Sequence, residues 1–196
     1  VLYLKGGFTY IIDDTILIDS NCTLLGDPNA IVKLKNHANW SVGKPMIGQV
    51  NEELNNVKIG NFQIDGNEMN QNEKWGKDFY RVISFVGTNN KPVSNVNVYN
   101  MKIYNSLGDG FRIKFGNNIM YYNNKDYNLQ HCSVFIQETN NATICNNDSQ
   151  VITCAGYRIE NSQNVNVYNN SITPFIGQTR AYLNGHNSIQ IDNSSA

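Results

Sequence analysis

Between Asn95 and Thr173 the apolar and polar positions follow one short pattern written four times: NVNVYN from Asn95, NIMYYN from Asn118, NATICN from Asn141 and NVNVYN from Asn164. The starts are 23 residues apart, and an earlier relative, NVKIGN, begins at Asn56. Within each copy the apolar residues alternate: Val96 with Val98, Ile119 with Tyr121, Ala142 with Ile144, Val165 with Val167. Alternation of period two marks a strand with one buried face, and the runs are too short for a helical pattern to compete. A second strand follows in each copy, GFRI from Gly110, SVFI from Ser133 and GYRI from Gly156, again 23 apart. A repeat of that length, built from short strands and bends, makes one full turn of a coil, and successive turns stack with their strands in parallel. The pattern predicts an all-β chain folded as a single-stranded right-handed parallel β-helix, a solenoid with coils of about 23 residues.

The asparagines that close the copies, Asn61, Asn100, Asn123, Asn146 and Asn169, recur at one position of the coil. Asn tolerates the left-handed backbone of a sharp bend and can brace it with its own side chain. Stacked turn upon turn, these five are expected to form a hydrogen-bonded ladder inside the coil. Beside them, Tyr99, Tyr122, Cys145 and Tyr168 fall on the outward side of the alternation and predict an exposed stripe.

Elsewhere the pattern divides one domain, residues 1–196. Residues 1–50 read as opening coils, with strands VLYL, FTYII, TILI, CTLLG and AIVKLK separated by turn residues, followed by an irregular excursion over 36–50. Residues 51–94 hold further coils interrupted by an inserted loop at 68–80. Long loops on such a scaffold are where binding concentrates. Residues 95–173 are the regular coils, and 174–196 a second excursion and a last strand, SIQI. In the 23-residue count Ile103 maps onto Asp126, Ser149 and Ile172, which reads as a local register slip at Asp126. Stacked coils also leave open apolar ends, so neighbouring domains or further copies are expected to cap them. The start at Val1, inside a strand, suggests a piece of something longer.

Composition narrows the class. A net charge of −1 and 16% charged residues give no basic footprint for nucleic acid. No apolar run has membrane-spanning length. Abundant Asn and Tyr with little charge lean towards an extracellular or cell-surface setting. Cys22, Cys132, Cys145 and Cys154 form no metal-binding pattern; Cys132 and Cys154, about one coil apart, could form a disulfide or remain buried thiols. Asn21, Asn39, Asn141, Asn147, Asn169 and Asn193 each open an N-x-S/T sequon, that of Asn169 being hidden if it lies in the ladder.

Candidate chemistry comes from the rows that stacked strands present outward. Arg112, Phe135, Arg158 and Gln190 form one row, and Lys114, Gln137, Glu160 and Asp192 another. Such a ledge suits an acidic polysaccharide, because Arg holds carboxylates in bidentate fashion. It is also compatible with a solvated face on which Arg112 and Arg158 pair with neighbouring acids. If the face is catalytic, Asp109, Arg112, His131 and Arg158 are the candidates, with Lys114, Gln137, Glu160, Gln190 and Asp192 contacting substrate.

The coil repeats, with the opening run YLKGGFTYIIDDTILIDSNCTLLGDPNAIVKLK, resemble the pectate-lyase-like superfamily of parallel β-helices. IGNFQIDGN, GDGFRIKF and ITCAGYRIENSQNVNVYNNSI are similar to domains of large archaeal and bacterial surface proteins. The resemblance implies a fold that serves lyases, hydrolases, epimerases, phage spikes and adhesins alike. Against the polygalacturonase-type motifs, Asp109 stands where an NTD-like motif would, and Arg112-Ile113-Lys114 spells RIK. Yet RIK follows Asp109 at once, and the position one coil after Asp109 is Cys132 rather than a second acid, so the acid–base pair of an inverting hydrolase is not assembled. A pectate-lyase-like reaction would gather Asp109, Glu160 and Asp192 around Ca²⁺ with Arg112 or Arg158 as base. Outside that case no cofactor or metal is expected. The sequence favours an extracellular structural or adhesive β-helix domain of a cell-surface or filament protein, touching a glycan surface without catalysis. The alternative is a lyase, hydrolase or epimerase acting on an acidic polysaccharide.

Overall fold

The computed structural model describes residues 1–72, 80–151, 155–174 and 188–193. Three seven-stranded sheets, all parallel, run the length of these residues, and each coil gives one strand to each sheet. This is the right-handed parallel β-helix that the repeat predicts. The first sheet contains Leu54–Gly60, Val93–Tyr99, Gly116–Tyr122, Asn140–Cys145 and Gln163–Tyr168. The second contains Gln63–Asp65, Lys102–Ser106, Lys125–Leu129, Asp148–Val151 and Ser171–Pro174. The third, which carries the candidate site, is Ile16–Ile18, Pro45–Gln49, Arg81–Val86, Phe111–Lys114, Val134–Gln137, Tyr157–Glu160 and Ile189–Asp192. Pro45–Gln49 lies inside the stretch expected to be an irregular excursion. Its proline opens the strand, where no ladder hydrogen bond is lost, so the sequence signal read as a break.

The core is a set of interior rows. Val57, Val96, Ile119, Ala142 and Val165 stack in register, as do Phe85, Ile113, Ile136 and Ile159. All of these are buried, and each large aliphatic contributes on the order of 2 kcal/mol by leaving water.

An interior asparagine ladder is present, but one residue further along than expected. Asn61, Asn100, Asn123, Asn146 and Asn169 do take the left-handed backbone, with φ between 53 and 70°. Asn100, Asn123, Asn146 and Asn169 are nevertheless exposed and Asn61 half-buried, and the rungs inside are Asn124, Asn147 and Asn170. Asn124 Oδ1 accepts from Met101 N, Asn147 Oδ1 from Asn124 N and Asn170 Oδ1 from Asn147 N, each at 2.9 Å. Their Nδ2 groups donate to Val98 O, Tyr121 O and Ile144 O. The bend at the closing asparagine turns its own side chain outward and the next one in, so the residue that shapes the corner is not the one that bridges coils. A second, outer ladder joins the asparagines that open the copies. Asn56, Asn95, Asn118, Asn141 and Asn164 are also left-handed, and Asn118 Nδ2 donates to Asn95 Oδ1 at 2.6 Å and Asn164 Nδ2 to Asn141 Oδ1 at 3.2 Å. Of the expected outward stripe, Tyr99 and Tyr122 stack at 5.3 Å and Tyr168 is exposed, but Cys145 is buried.

There is no slip at Asp126. Ile103, Asp126, Ser149 and Ile172 pair in unbroken register, and the irregularity falls after Tyr127. Asp126 is therefore an acid inside the coil, 1% exposed. Tyr121 OH donates to its Oδ1 at 2.7 Å, Ser149 Oγ to Oδ2 at 3.2 Å, and Ser133 Oγ also to Oδ2. Tyr157 OH reaches Ser149 Oγ at 3.2 Å. Tyr121 and Tyr157 each interrupt an otherwise apolar row, Asp126 and Ser149 together interrupt a third, and the four meet as one buried polar island.

Candidate functional site

The bends that lead into the third sheet place the candidate residues. Gly108-Asp109-Gly110 precedes the strand Phe111–Lys114, and Gln130-His131-Cys132 precedes Val134–Gln137 one coil later. The two bends stack, so Asp109 and His131 meet: Asp109 Oδ1 lies 2.5 Å from His131 Nδ1 and accepts from Cys132 N at 3.3 Å. The carboxylate is 3% exposed. Its other oxygen faces two guanidinium groups, Arg112 at 3.8 Å and Arg81 at 3.9 Å. Arg81 went unremarked in the sequence because the longer coil around 68–80 moves it out of the 23-residue count; in register it stands where Asp109 stands one coil on. Burial lowers its pKa from the usual arginine range, with Arg112 adding repulsion. Among the expected catalytic residues, Asp109, Arg112 and His131 thus form one cluster, whereas Arg158 stands apart from Asp109 on the next coils.

Arg158 is linked to the cluster through Phe135. The ring is only 5% exposed because Arg112 and Arg158 cover its two sides, with guanidinium carbons 4.5 and 4.9 Å from its centroid. Arg112 Nη2 donates to Gln137 Oε1 at 3.0 Å. Arg158 pairs with Glu160 at 3.3 Å and Asp192 at 3.6 Å, Lys114 with Glu138 at 3.2 Å, and Gln190 donates to Asp192 at 2.9 Å. Both rows therefore exist as the spacing places them. The face is polarised: cations dominate around Asp109, and acids dominate around Arg158. The inserted segment contributes Glu68, which is buried and accepts from Gln130 Nε2 beside His131.

The three carboxylates that spacing offered to Ca²⁺ are not gathered together, since Asp109 is engaged by His131 while Glu160 and Asp192 share Arg158. Among the described residues, Asp109, His131 and Cys132 bring ligand atoms within 4.8 Å of one another. Two arginines beside the same carboxylate oppose a cation there, so this group fits a metal poorly. Cys154, the other half of the considered disulfide, lies outside the described residues, as do residues 73–79 and most of the excursion after Pro174.

No protein-family model matches the chain, and no curated protein matches it. Solved structures do. The A-module of the mannuronan C-5 epimerase AlgE6 from Azotobacter vinelandii is similar at a TM-score of 0.64 and 16% identity, over 97% of this chain and 53% of that one. The pre-mature gene product 12 of bacteriophage phi29 is similar at 0.58 and 17%, over 96% of this chain and 29% of that one. The chain thus spans about half of the first and under a third of the second. At these identities the likeness shows the fold, one shared by carbohydrate-active enzymes and a phage protein. No helix of the described residues is long and apolar enough to cross a membrane.

Proposed function

We propose that this is an extracellular β-helix domain whose third sheet holds an acidic, uronate-containing polysaccharide. The observation that carries the reading is the spacing around Asp109. Two guanidinium groups approach one carboxylate oxygen at 3.8 and 3.9 Å, beyond direct hydrogen-bond distance. Their donors are left unsaturated by Asp109, and a second carboxylate, from a uronate, satisfies them in the bidentate geometry arginine prefers. Gln137 and Gln190 continue along the face as groups for sugar hydroxyls.

The 2.5 Å contact between Asp109 and His131 favours a second reading, in which the bound polymer is also transformed. A buried carboxylate on Nδ1 orients an imidazole, and Nε2 is the ring nitrogen that would serve as the general base. With the uronate carboxylate held by Arg81 and Arg112, the adjacent C–H is the acidic one. Its removal leads to β-elimination, in which the C4–O4 glycosidic bond breaks as the C=C bond forms and the leaving oxygen takes up a proton, or, on reprotonation from the opposite face, to epimerisation. Hydrolysis is disfavoured because Cys132 occupies the register position where a second acid is needed. The similarity to the AlgE6 module agrees with this chemistry without assigning it.

The test is to incubate the protein with polymannuronate, polyguluronate and polygalacturonate in D₂O. Retention on the polymer, absorbance from a new C=C bond, and deuterium at C-5 are measured together. Retention without chemistry is expected for a contact module. Elimination or deuterium incorporation that disappears in His131→Ala establishes the catalytic reading, and no retention on any of the three polymers contradicts both.

A further inference from the structure

Asp109 and His131 lie before the strands of the third sheet, and a separate groove opens just beyond the other ends of those strands. The corner residues there are Phe115, Glu138 and Asn161, stacked coil on coil and all left-handed, with φ of 55, 47 and 48°. Asn is a natural occupant of that conformation, and a phenylalanine is a costly one. Lys114 Nζ lies 4.9 Å from the centroid of its ring, but Phe115 is half-exposed and lies outside the buried core, so core packing does not explain the choice. A strained residue at a corner where it buries no core points to function.

The groove has a volume of about 580 Å³ and is lined by Phe115, Pro92, Asn89, Glu138, Asn161 and Gln163, among others. That volume lies within the ordinary range of small-ligand sites. Among the described residues, no hydrogen bond engages the side-chain amides of Asn89, Asn161 or Gln163. Each amide offers both donors and an acceptor. An aromatic ring beside such groups matches a pyranose, whose C–H face stacks on the ring while its hydroxyls need donors and acceptors together. The charge selects further. Glu138 lines the groove, and the two lysines adjacent to lining residues in the chain, Lys114 and Lys91, are paired with Glu138 at 3.2 Å and with Glu52 at 3.7 Å. Among the described residues lining the groove a uronate finds no cation and meets a carboxylate.

We propose that this corner is a binding site for a neutral hexopyranose unit, distinct from the arginine-lined face. Four strand residues separate the Asp109 and Phe115 corners, roughly 13 Å at the rise of a β-strand. The inference does not depend on the acidic-polymer reading, and either can fail alone.

The experiment is a calorimetric titration of the whole chain with cellohexaose, mannohexaose and laminarihexaose. At least one is expected to bind, and Phe115→Asn should weaken it about tenfold. Phe115→Tyr should retain binding. Because Asn suits the corner, Phe115→Asn should melt no lower than the wild type, which separates lost binding from lost folding, and it should leave retention on polyuronates unchanged. Absence of binding by all three hexaoses, wild-type affinity in Phe115→Asn, or Phe115-dependent binding of polyuronate instead would each overturn the proposal.

Discussion

Two aspartates on adjacent coils are almost equally buried, Asp109 at 3% and Asp126 at 1% exposure, yet their surroundings are opposite. Asp109 sits at the edge of the third sheet among His131, Arg81 and Arg112. Asp126 points into the coil and meets only hydroxyls, from Tyr121, Ser133 and Ser149. A carboxylate surrounded by cations has counter-charges at hand, and the excess of cations leaves positive potential at the surface. One surrounded by hydroxyls has hydrogen bonds but no counter-charge, so burial dominates and raises its pKa to about 6. The same residue type thus makes a candidate ligand site in one place and a pH-sensitive element of the core in the other.

The largest difference is expected on removing each carboxylate. Asp109→Ala leaves three cationic or basic side chains facing one another around a partly buried gap and should cost about 4 kcal/mol, read from urea unfolding at pH 7. A loss under about 1 kcal/mol would show that solvent already screens the cluster. Asp126→Asn keeps partners for the hydroxyls and should cost little at pH 7.

The second contrast is in pH. Because the folded-state pKa of Asp126 lies near 6 against an ordinary 3.8, its favourable contribution is fully present below about pH 3.8 and is lost as the pH rises through 6. Between pH 7 and pH 4 the wild type should gain roughly 2 kcal/mol relative to Asp126→Asn. Parallel stability curves for the two proteins would remove Asp126 as the cause.

The asparagine corner gives the smallest effect and a neutral comparison, polar burial without charge. Asn147→Ala strips partners from Asn124 N and Tyr121 O and should cost about 2 kcal/mol. Its exposed neighbour, Asn146→Ala, forfeits the left-handed preference and a weak contact to Cys145 Sγ, about 1 kcal/mol. Equal losses at the two positions would contradict the assignment of the interior rungs.

The sequence carried the fold because period-two alternation repeated every 23 residues admits few other structures. It located the corner asparagines as well, but not which of two neighbours turns inward, since that depends on the bend each residue makes. The polar island was misread for a related reason. Asp126 alone looks like an error in a row; only with Ser149 beside it in that row, and with Tyr121 and Tyr157 breaking the rows of the other two sheets, does it read as deliberate. At the candidate site, Asp109, Arg112 and His131 were legible because they lie in the regular coils, and Arg81 was not, because the 68–80 insertion breaks the count before it. Phe115 gave no signal at all, its left-handed backbone being invisible in the residue pattern.

The most direct measurement is a calorimetric titration of a hexauronate against the wild type and Arg112→Ala at two salt concentrations. If the Asp109 corner takes a second carboxylate, the wild type binds, added salt weakens binding, and Arg112→Ala weakens it by about tenfold or more. Equal affinity in the two proteins would contradict the assignment of this face to acidic polysaccharide.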